Sequence, residues 1–290
     1  MPTRREGRKT KLLSTIIQRT PEQIRNHFEV ERELATRLRK SDRAERTLLF
    51  AKLYNELFER VPDHPRLTRR ETPEESARGV ASQLRLLRPH LRKDGTLLEF
   101  APGDCRLSYA AAPHVGKVIA ADISDQRSPD DVTPENFELI VYDGYHLDVA
   151  KNSIDVAFSY QFLEHLHPED IPLHFAMVTK ILKPGGIYIF DTPHRFSGPH
   201  DVSRFFGDEL QCFHFQEWTY REMRGLLKQN GFDGIYAYRR ARVWKGKVAN
   251  ALLAATESAV GILPRRLRRK LSDRLFRAVT MMGVSGETKG

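Results

Sequence analysis

The stretch LLEFAPGDCRLSYAAA, residues 97–112, decides how the chain is read. It opens as a short apolar run ending at Phe100, passes through a tight loop around Pro102 and Gly103, and continues as the start of a helix. A strand, a tight loop and a helix in this order form the first turn of a doubly wound sheet, where ligands bind beyond the carboxyl ends of the strands. A pyrophosphate at that turn needs a GxGxxG cradle of backbone N–H groups. Here a G-x-G-x-G spacing is filled by Ala101, Gly103 and Cys105, so a dinucleotide is poorly served.

Downstream, short apolar runs recur: KVIAAD, FELIVYD, SIDVAFS and GIYIFDTP. Near-continuous apolar strands of this kind suit a parallel sheet buried on both faces, and the class is α/β. Between the last two runs, HPEDIPLHFAMVTKILKPGG predicts a helix with Ile171, Phe175, Val178 and Leu182 on its apolar face, closed by Pro184-Gly185-Gly186. Thr219-Tyr220-Arg221-Glu222 is a capping box for another helix, which stops near Asn230-Gly231. A strand pair around GIYAYRRARVW is expected to complete the sheet.

Upstream, Ile24, Phe28, Leu34 and Leu38, then Leu49, Leu53 and Leu57, recur at helical spacing and predict two helices. VPDHPRLTRR breaks them from a helix that Thr72-Pro73-Glu74-Glu75 opens and that runs to about Leu91. The expected organisation is a disordered basic arm over 1–19, an N-terminal helical extension over 20–93, an α/β domain over 94–245 and a C-terminal amphipathic basic helical segment over 246–290.

With 290 residues, of which 40% are hydrophobic, the chain can build one substantial core with additions. Two distant cysteines, Cys105 and Cys212, argue against a disulfide framework and a zinc cluster, and no metal ligands are expected. A reducing cytoplasm is the default compartment. No apolar run reaches the roughly 18 residues of a spanning helix, and MPTRREGRKTKLL lacks the apolar core of a secretory signal, although its arginines also suit a transit peptide. The net charge of +9 gathers in the opening segment and in ILPRRLRRKLSDRLFR. That charge suits contact with an anionic membrane or nucleic acid, or simply a solvated surface.

S-adenosylmethionine has no phosphates, so its loop need only let backbone approach a methionine tail and a ribose. Further features fall where that cofactor needs them. Asp122 ends the second apolar run close to the roughly 20-residue offset at which a carboxylate meets ribose hydroxyls. Asp143 follows the third run, SYQFLEHLHPED the fourth, and KILKPGGIYIFDTPHR carries the fifth. Read on residues alone, Glu99 and Asp122 can also cap the following helix or turn, and Cys105 suits a small apolar filler better than a nucleophile.

From Leu97 to Asp233 the chain resembles the class I S-adenosylmethionine-dependent methyltransferases, in the type 11-like branch whose motifs read like YDGYHLDVAKNSIDVAFSYQFLEHL and LKPGGIYIFDTP. The resemblance implies a Rossmann-like, seven-stranded, mostly parallel sheet with helices on both faces and a reversed last hairpin. It also implies that Glu99 helps to position the methionine amino group, that Gly103 lines the cofactor with Ala101 beside it, that Asp122 binds the ribose, and that Asp143, next to Gly144, binds the adenine. Tyr160 and Gln161 leave a strand end, where they can touch adenine or acceptor.

Methyl transfer is an in-line displacement and needs a base only if the acceptor must lose a proton. The long, His-rich stretch TPHRFSGPHDVSRFFGDELQCFHFQEW is expected to lie over the methyl. In it, His200 oriented by Asp201 is the candidate base, with His194 and His214 as substitutes. His165 and His167 read more simply as the start of a helix. Phe205, Phe206, Phe213, Phe215 and Trp218 suit either a pocket wall or core. The C-terminal segment is expected to pack on the N-terminal helices as a lid, in preference to lying on an anionic membrane. The expected acceptor is a small molecule or a glycan- or lipid-linked intermediate. The alternatives are a binding module without turnover and, without a recognisable RNA-binding module, an RNA methyltransferase. The residues do not fix the acceptor atom or the oligomeric state.

Overall fold

A computed structural model describes residues 19–68, 72–239, 242–244 and 246–286. Of the basic arm expected over 1–19, all but Arg19 lies outside the described residues.

The chain begins with a helical hairpin. Helix α1 (Pro21–Lys40) opens on a capping box between Thr20 and Gln23, and α2 (Arg43–Arg60) on one between Asp42 and Glu45. Val30, Leu34, Ala35 and Leu38 of α1 close against Leu53, Leu57 and Val61, with Phe213 in the same cluster. After a single turn at Pro65–Thr68, the capping box of Thr72 and Glu75 starts α3 (Pro73–Leu87). Leu86, Leu87 and Leu91 pack with Leu97, Leu107, Val118 and Phe158 on one face of the sheet. Helix α3 is therefore a layer of the α/β domain rather than part of a separate extension ending at residue 93.

The sheet contains β1 (Thr96–Phe100), β2 (Lys117–Asp122), β3 (Phe137–Val141), β4 (Ile154–Tyr160), β5 (Leu182–Pro193), β6 (Phe232–Arg239), β7 (Arg242–Trp244) and β8 (Ala278–Ser285). Their order is β3-β2-β1-β4-β5-β8-β6-β7, with the first five strands mutually parallel and the last three antiparallel to their neighbours. Helix α4 (Arg106–Ala111) follows β1, α5 (Ile171–Ile181) precedes β5, and α6 (Tyr220–Gln229) precedes β6. The other face buries Phe100, Phe175, Tyr188, Phe190, Met223 and Leu227.

Two expectations need correction. The sheet has eight strands rather than seven, and the segment expected to be helical also contains β8, which lies in the middle of the sheet between β5 and β6. Val279 and Met281 are fully buried there. Its seam with β6 is tight: a Cβ at Gly283 would collide with the ring of Phe232.

Helices α7 (Lys247–Gly261) and α8 (Arg265–Leu275) join β7 to β8. The Glu257 carboxylate of α7 accepts from the backbone N–H groups of Tyr220 and Arg221 at the start of α6, and it pairs with His194. Arg265 and Arg269 pair with Asp208, and Arg268 lies over Phe196. Part of the basic cluster is thus engaged within the protein. No described helix is long and apolar enough to cross a membrane.

The hairpin is fastened to the domain by Arg46, whose side chain is fully buried. Its guanidinium donates to both carboxylate oxygens of Asp170 (2.9 and 3.1 Å), to Glu169 (3.0 Å) and to the Ser41 carbonyl (2.6 Å). The Tyr145 hydroxyl also donates to Asp170, at 2.8 Å.

Candidate active site

The loop after β1 takes the shape of a glycine loop with side chains in it. Ala101, Gly103 and Cys105 all have left-handed backbone, with φ of 51°, 59° and 60°. Each non-glycine residue there costs about 1–2 kcal/mol. The shape is held by Ala101 N–H donating to the Ala121 carbonyl (2.8 Å) and Gly103 N–H donating to the Asp122 carboxylate (3.3 Å). Cys105 is a buried filler whose thiol is pushed up to about 12 by burial, which leaves little thiolate for a nucleophile.

Asp122 ends β2, and its other oxygen accepts from the N–H groups of Ile123 (2.7 Å) and Ser124 (3.3 Å). It both caps this turn and lines the large cavity described below. Glu99 is buried beneath the loop, accepting from the Ser108 hydroxyl at 2.6 Å, and burial pushes its carboxyl up to about 7. Asp143 accepts from the N–H groups of Tyr145 and His146 and pairs with the His146 ring at 2.6 Å. Burial opposes its ionisation, but these partners outweigh burial and lower its pKa. Asp143 thus caps its own turn, and the cavity wall here is made by Tyr142, Gly144 and Tyr145. Tyr160 lies at the end of β4, 42% exposed and on the cavity wall.

The cavity has a volume of about 690 Å³. Its lining combines Ala101, Asp122, Ile123, Gly144, Tyr160 and Gln161 with Phe50, Tyr54 and Phe58 of α2 and with Phe162, Leu173 and Met177. The roof therefore comes from the N-terminal hairpin. None of the lining residues lies in 246–286, so the expected C-terminal lid is replaced by α2. The wall residues of α2 alternate with core positions on the same helical period, so the sequence alone does not separate them from core.

The stretch after β5 is placed differently from expectation. His200 is not oriented by Asp201. Its Nδ1 lies 3.1 Å from the Glu217 carboxylate and its backbone N–H donates to the same group at 2.7 Å, while Asp201 accepts from the N–H groups of Ser203 and His214. Adjacent residues of a turn point apart, whereas the bridge between His194 and Trp218 carries Glu217 back beside His200. His194 is fully buried against Glu257 and Ser272. Neither His200 nor His194 lines the cavity. Of the candidate aromatic wall only Phe213 lines it; Phe205 and Phe206 pack with Ile24 and Phe28, Phe215 with the hairpin core, and Trp218 with the sheet.

The histidines that line the cavity are instead His64, His174 and His165. The Nδ1 of His165 is 3.1 Å from the Phe213 carbonyl, and its ring meets the His214 ring edge to face at 4.8 Å. Burial lowers the His165 pKa well below its ordinary value. His214 lies 3.1 Å from Glu217. Burial would depress its pKa, but Glu217, Glu164 and Asp201 raise it to about 9. Burial opposes ionisation of Glu217, yet hydrogen bonds from His200 and His214 bring it down to about 2. Glu164 is fully buried and pushed up to about 7 by burial. The sequence signal for this cluster is the acidic and imidazole pair at the end of an apolar strand, which also reads as a helix start.

The Glu217 carboxylate occupies the space where a side chain at residue 198 would stand. Gly198→Ala is therefore expected to displace it from His200 and His214, at a cost of about 1–3 kcal/mol. Chemical denaturation measures this, and an unchanged midpoint would show that the carboxylate relocates freely.

Residues 98–190 match the family described as "Methyltransferase domain". A curated relative, a probable S-adenosylmethionine-dependent methyltransferase of Mycolicibacterium smegmatis, is 32% identical over 89 residues, which are 30% of this chain and 32% of the relative. The match thus spans about a third of the relative's length. The fold is similar to a chain in the complex between the Haloferax volcanii Trm112 methyltransferase activator and a methyltransferase, with a TM-score of 0.52 at 15% identity over 73% of this chain and 92% of that one. Loop, strand order and sequence match agree in making residues 98–190 similar to a methyltransferase domain.

Proposed function

We propose that the chain transfers a methyl group from S-adenosylmethionine to a small acceptor with an apolar body, held between the carboxyl ends of β1, β2 and β4 and the roof of α2. The observation that carries this reading is that one cavity joins Asp122 and the loop after β1 to the aromatic wall of α2. Its volume of about 690 Å³ falls in the range of small-molecule sites. Toward the cofactor, Asp122 on the cavity wall would offer carboxylate oxygens to ribose hydroxyls, Ala101 would present backbone, and Glu99, buried behind the lining, would meet an ammonium. Bound S-adenosylmethionine supplies an electrophilic methyl on a sulfonium. The protein's contribution is to hold the acceptor in line, about 3–3.5 Å from the methyl, and to keep water out with Phe50, Tyr54, Phe58 and Phe162. Ala101 and Cys105, at the outer positions of the G-x-G-x-G spacing, both adopt the left-handed backbone that glycine favours.

S-adenosylmethionine and S-adenosylhomocysteine, each at about a hundredfold its dissociation constant, are expected to stabilise the chain by roughly 2.7 kcal/mol, with no effect of NAD. Product formation is then followed by transfer of labelled methyl to small amphipathic acceptors. Stabilisation by NAD alone, or by none of the three, would overturn the reading.

Glu99 adds a pH dependence. Without ligand its pKa is raised to about 7, so the carboxyl carries a proton at lower pH. A nearby ammonium favours the ionised form, so binding releases that proton. Affinity is expected to fall as pH drops below about 7, by up to about tenfold per pH unit, and Glu99→Gln should flatten the profile. Titration calorimetry across that range tests it, and a flat wild-type profile would show that Glu99 does not meet the ammonium.

A further inference from the structure

We propose that Glu164, His165 and His214 form a binding site for a divalent transition-metal ion at the edge of the cavity. The three side chains offer ligand atoms that lie within 4.8 Å of one another. Bond lengths of about 2.0–2.2 Å to Zn²⁺ put neighbouring ligand atoms somewhat closer together than this, so small side-chain rotations complete the set.

The hydrogen bonds behind these residues select which atoms remain. His165 places Nδ1 on the Phe213 carbonyl, and His214 places Nδ1 on the Glu217 carboxylate. With Nδ1 engaged, each ring has Nε2 left for an ion, and binding displaces the proton that His214 carries there in the unliganded protein. Glu164 receives the Thr192 hydroxyl on one oxygen at 2.9 Å, while its other oxygen, Oε1, is buried with no hydrogen-bond partner among the described residues. A buried carboxylate oxygen without a donor is costly, and a cation there satisfies it. Glu217 is itself held by the His200 N–H at 2.7 Å, so every ligand is oriented from behind.

Two other acidic and imidazole or thiol groupings lack this character. In His27, Glu31 and His64, the Glu31 oxygens already take His27 Nε2 (2.5 Å) and the Phe213 N–H (3.0 Å). In Glu31, Asp201 and Cys212, both Asp201 oxygens accept backbone N–H groups.

Two imidazoles and one carboxylate suit Zn²⁺, Fe²⁺, Mn²⁺ or Co²⁺ better than Mg²⁺ or Ca²⁺, which prefer all-oxygen sets. Three protein ligands leave coordination positions open, and one of them, His165, also lines the cavity. The site stands whether or not the cofactor reading holds.

The test uses the untagged full-length chain, stripped with a chelator and titrated with Zn²⁺ and Co²⁺ by calorimetry. One equivalent per chain is expected, with Co²⁺ absorption bands of nitrogen and oxygen ligation. His214→Asn and Glu164→Gln are expected to abolish stoichiometric binding. Glu217→Gln, which acts only through His214, is expected to weaken binding by about 10–100-fold. His27→Asn should leave binding unchanged. Absence of stoichiometric binding by the wild-type chain, a thiolate charge-transfer band pointing to Cys212, or loss of binding in His27→Asn would each overturn the proposal, and all three are read without depending on the folding of the ligand variants.

Discussion

Replacing Arg46 by methionine is expected to lower the unfolding free energy by about 3–5 kcal/mol, the cost of leaving one member of a buried ion pair alone. The arginine is fully buried and Asp170 nearly so, and the guanidinium supplies both oxygens of that carboxylate. After substitution, the Tyr145 hydroxyl and Arg43, 3.6 Å away, are the neighbours left to Asp170. Domains are stable by only about 5–15 kcal/mol, so the loss is a large fraction of the total. The loss should also loosen α2, which carries the cavity roof, and so weaken acceptor binding. Replacing both Arg46 and Asp170 by apolar residues should recover most of the stability, because no uncompensated charge then remains. Denaturant unfolding of both single variants and the double variant decides it; a loss below about 1 kcal/mol in Arg46→Met would mean that solvent reaches the pair.

Asp122→Ala is expected to weaken S-adenosylmethionine and S-adenosylhomocysteine by about a hundredfold, about 2.8 kcal/mol. Two effects combine. The ribose loses a charged acceptor, and the N–H groups of Gly103, Ile123 and Ser124 lose the carboxylate that now holds the loop. Asp122→Asn keeps an acceptor oxygen for the turn and should fall between the two. Calorimetry on both variants, with the unliganded melting temperature as a control for folding, separates the effects. An affinity of Asp122→Ala within about threefold of wild type would show that the ribose lies elsewhere.

Much of the frame was legible because its causes are local. The runs at β1, β2 and β4 are buried along most of their length, and the capping boxes at Thr72 and Thr219 begin helices where the sequence places them. Ala101, Gly103 and Cys105 could be read as a left-handed turn because their spacing belongs to a turn that spans only a few residues. Asp122 was legible for the same reason, as the end of an apolar strand.

What stayed hidden depends on segments far apart in the chain. AVTMMGVS becomes a central strand only because β5 and β6 leave a gap of its width, and nothing in its own pattern states that gap. Tyr54 and Phe58 share the helical period of core residues, and whether they face core or cavity depends on where Arg46 fastens α2. His200 was paired with its sequence neighbour Asp201, whereas the fold pairs it with Glu217, brought back by the bridge beside β5. Local spacing thus fixed the class of fold, the left-handed turn after β1 and the carboxylate that closes β2, since one strand and its turn dictate them. Tertiary structure alone decided the roof of the cavity, the middle of the sheet and the partners of the histidines, because each is a contact between surfaces that local spacing does not encode.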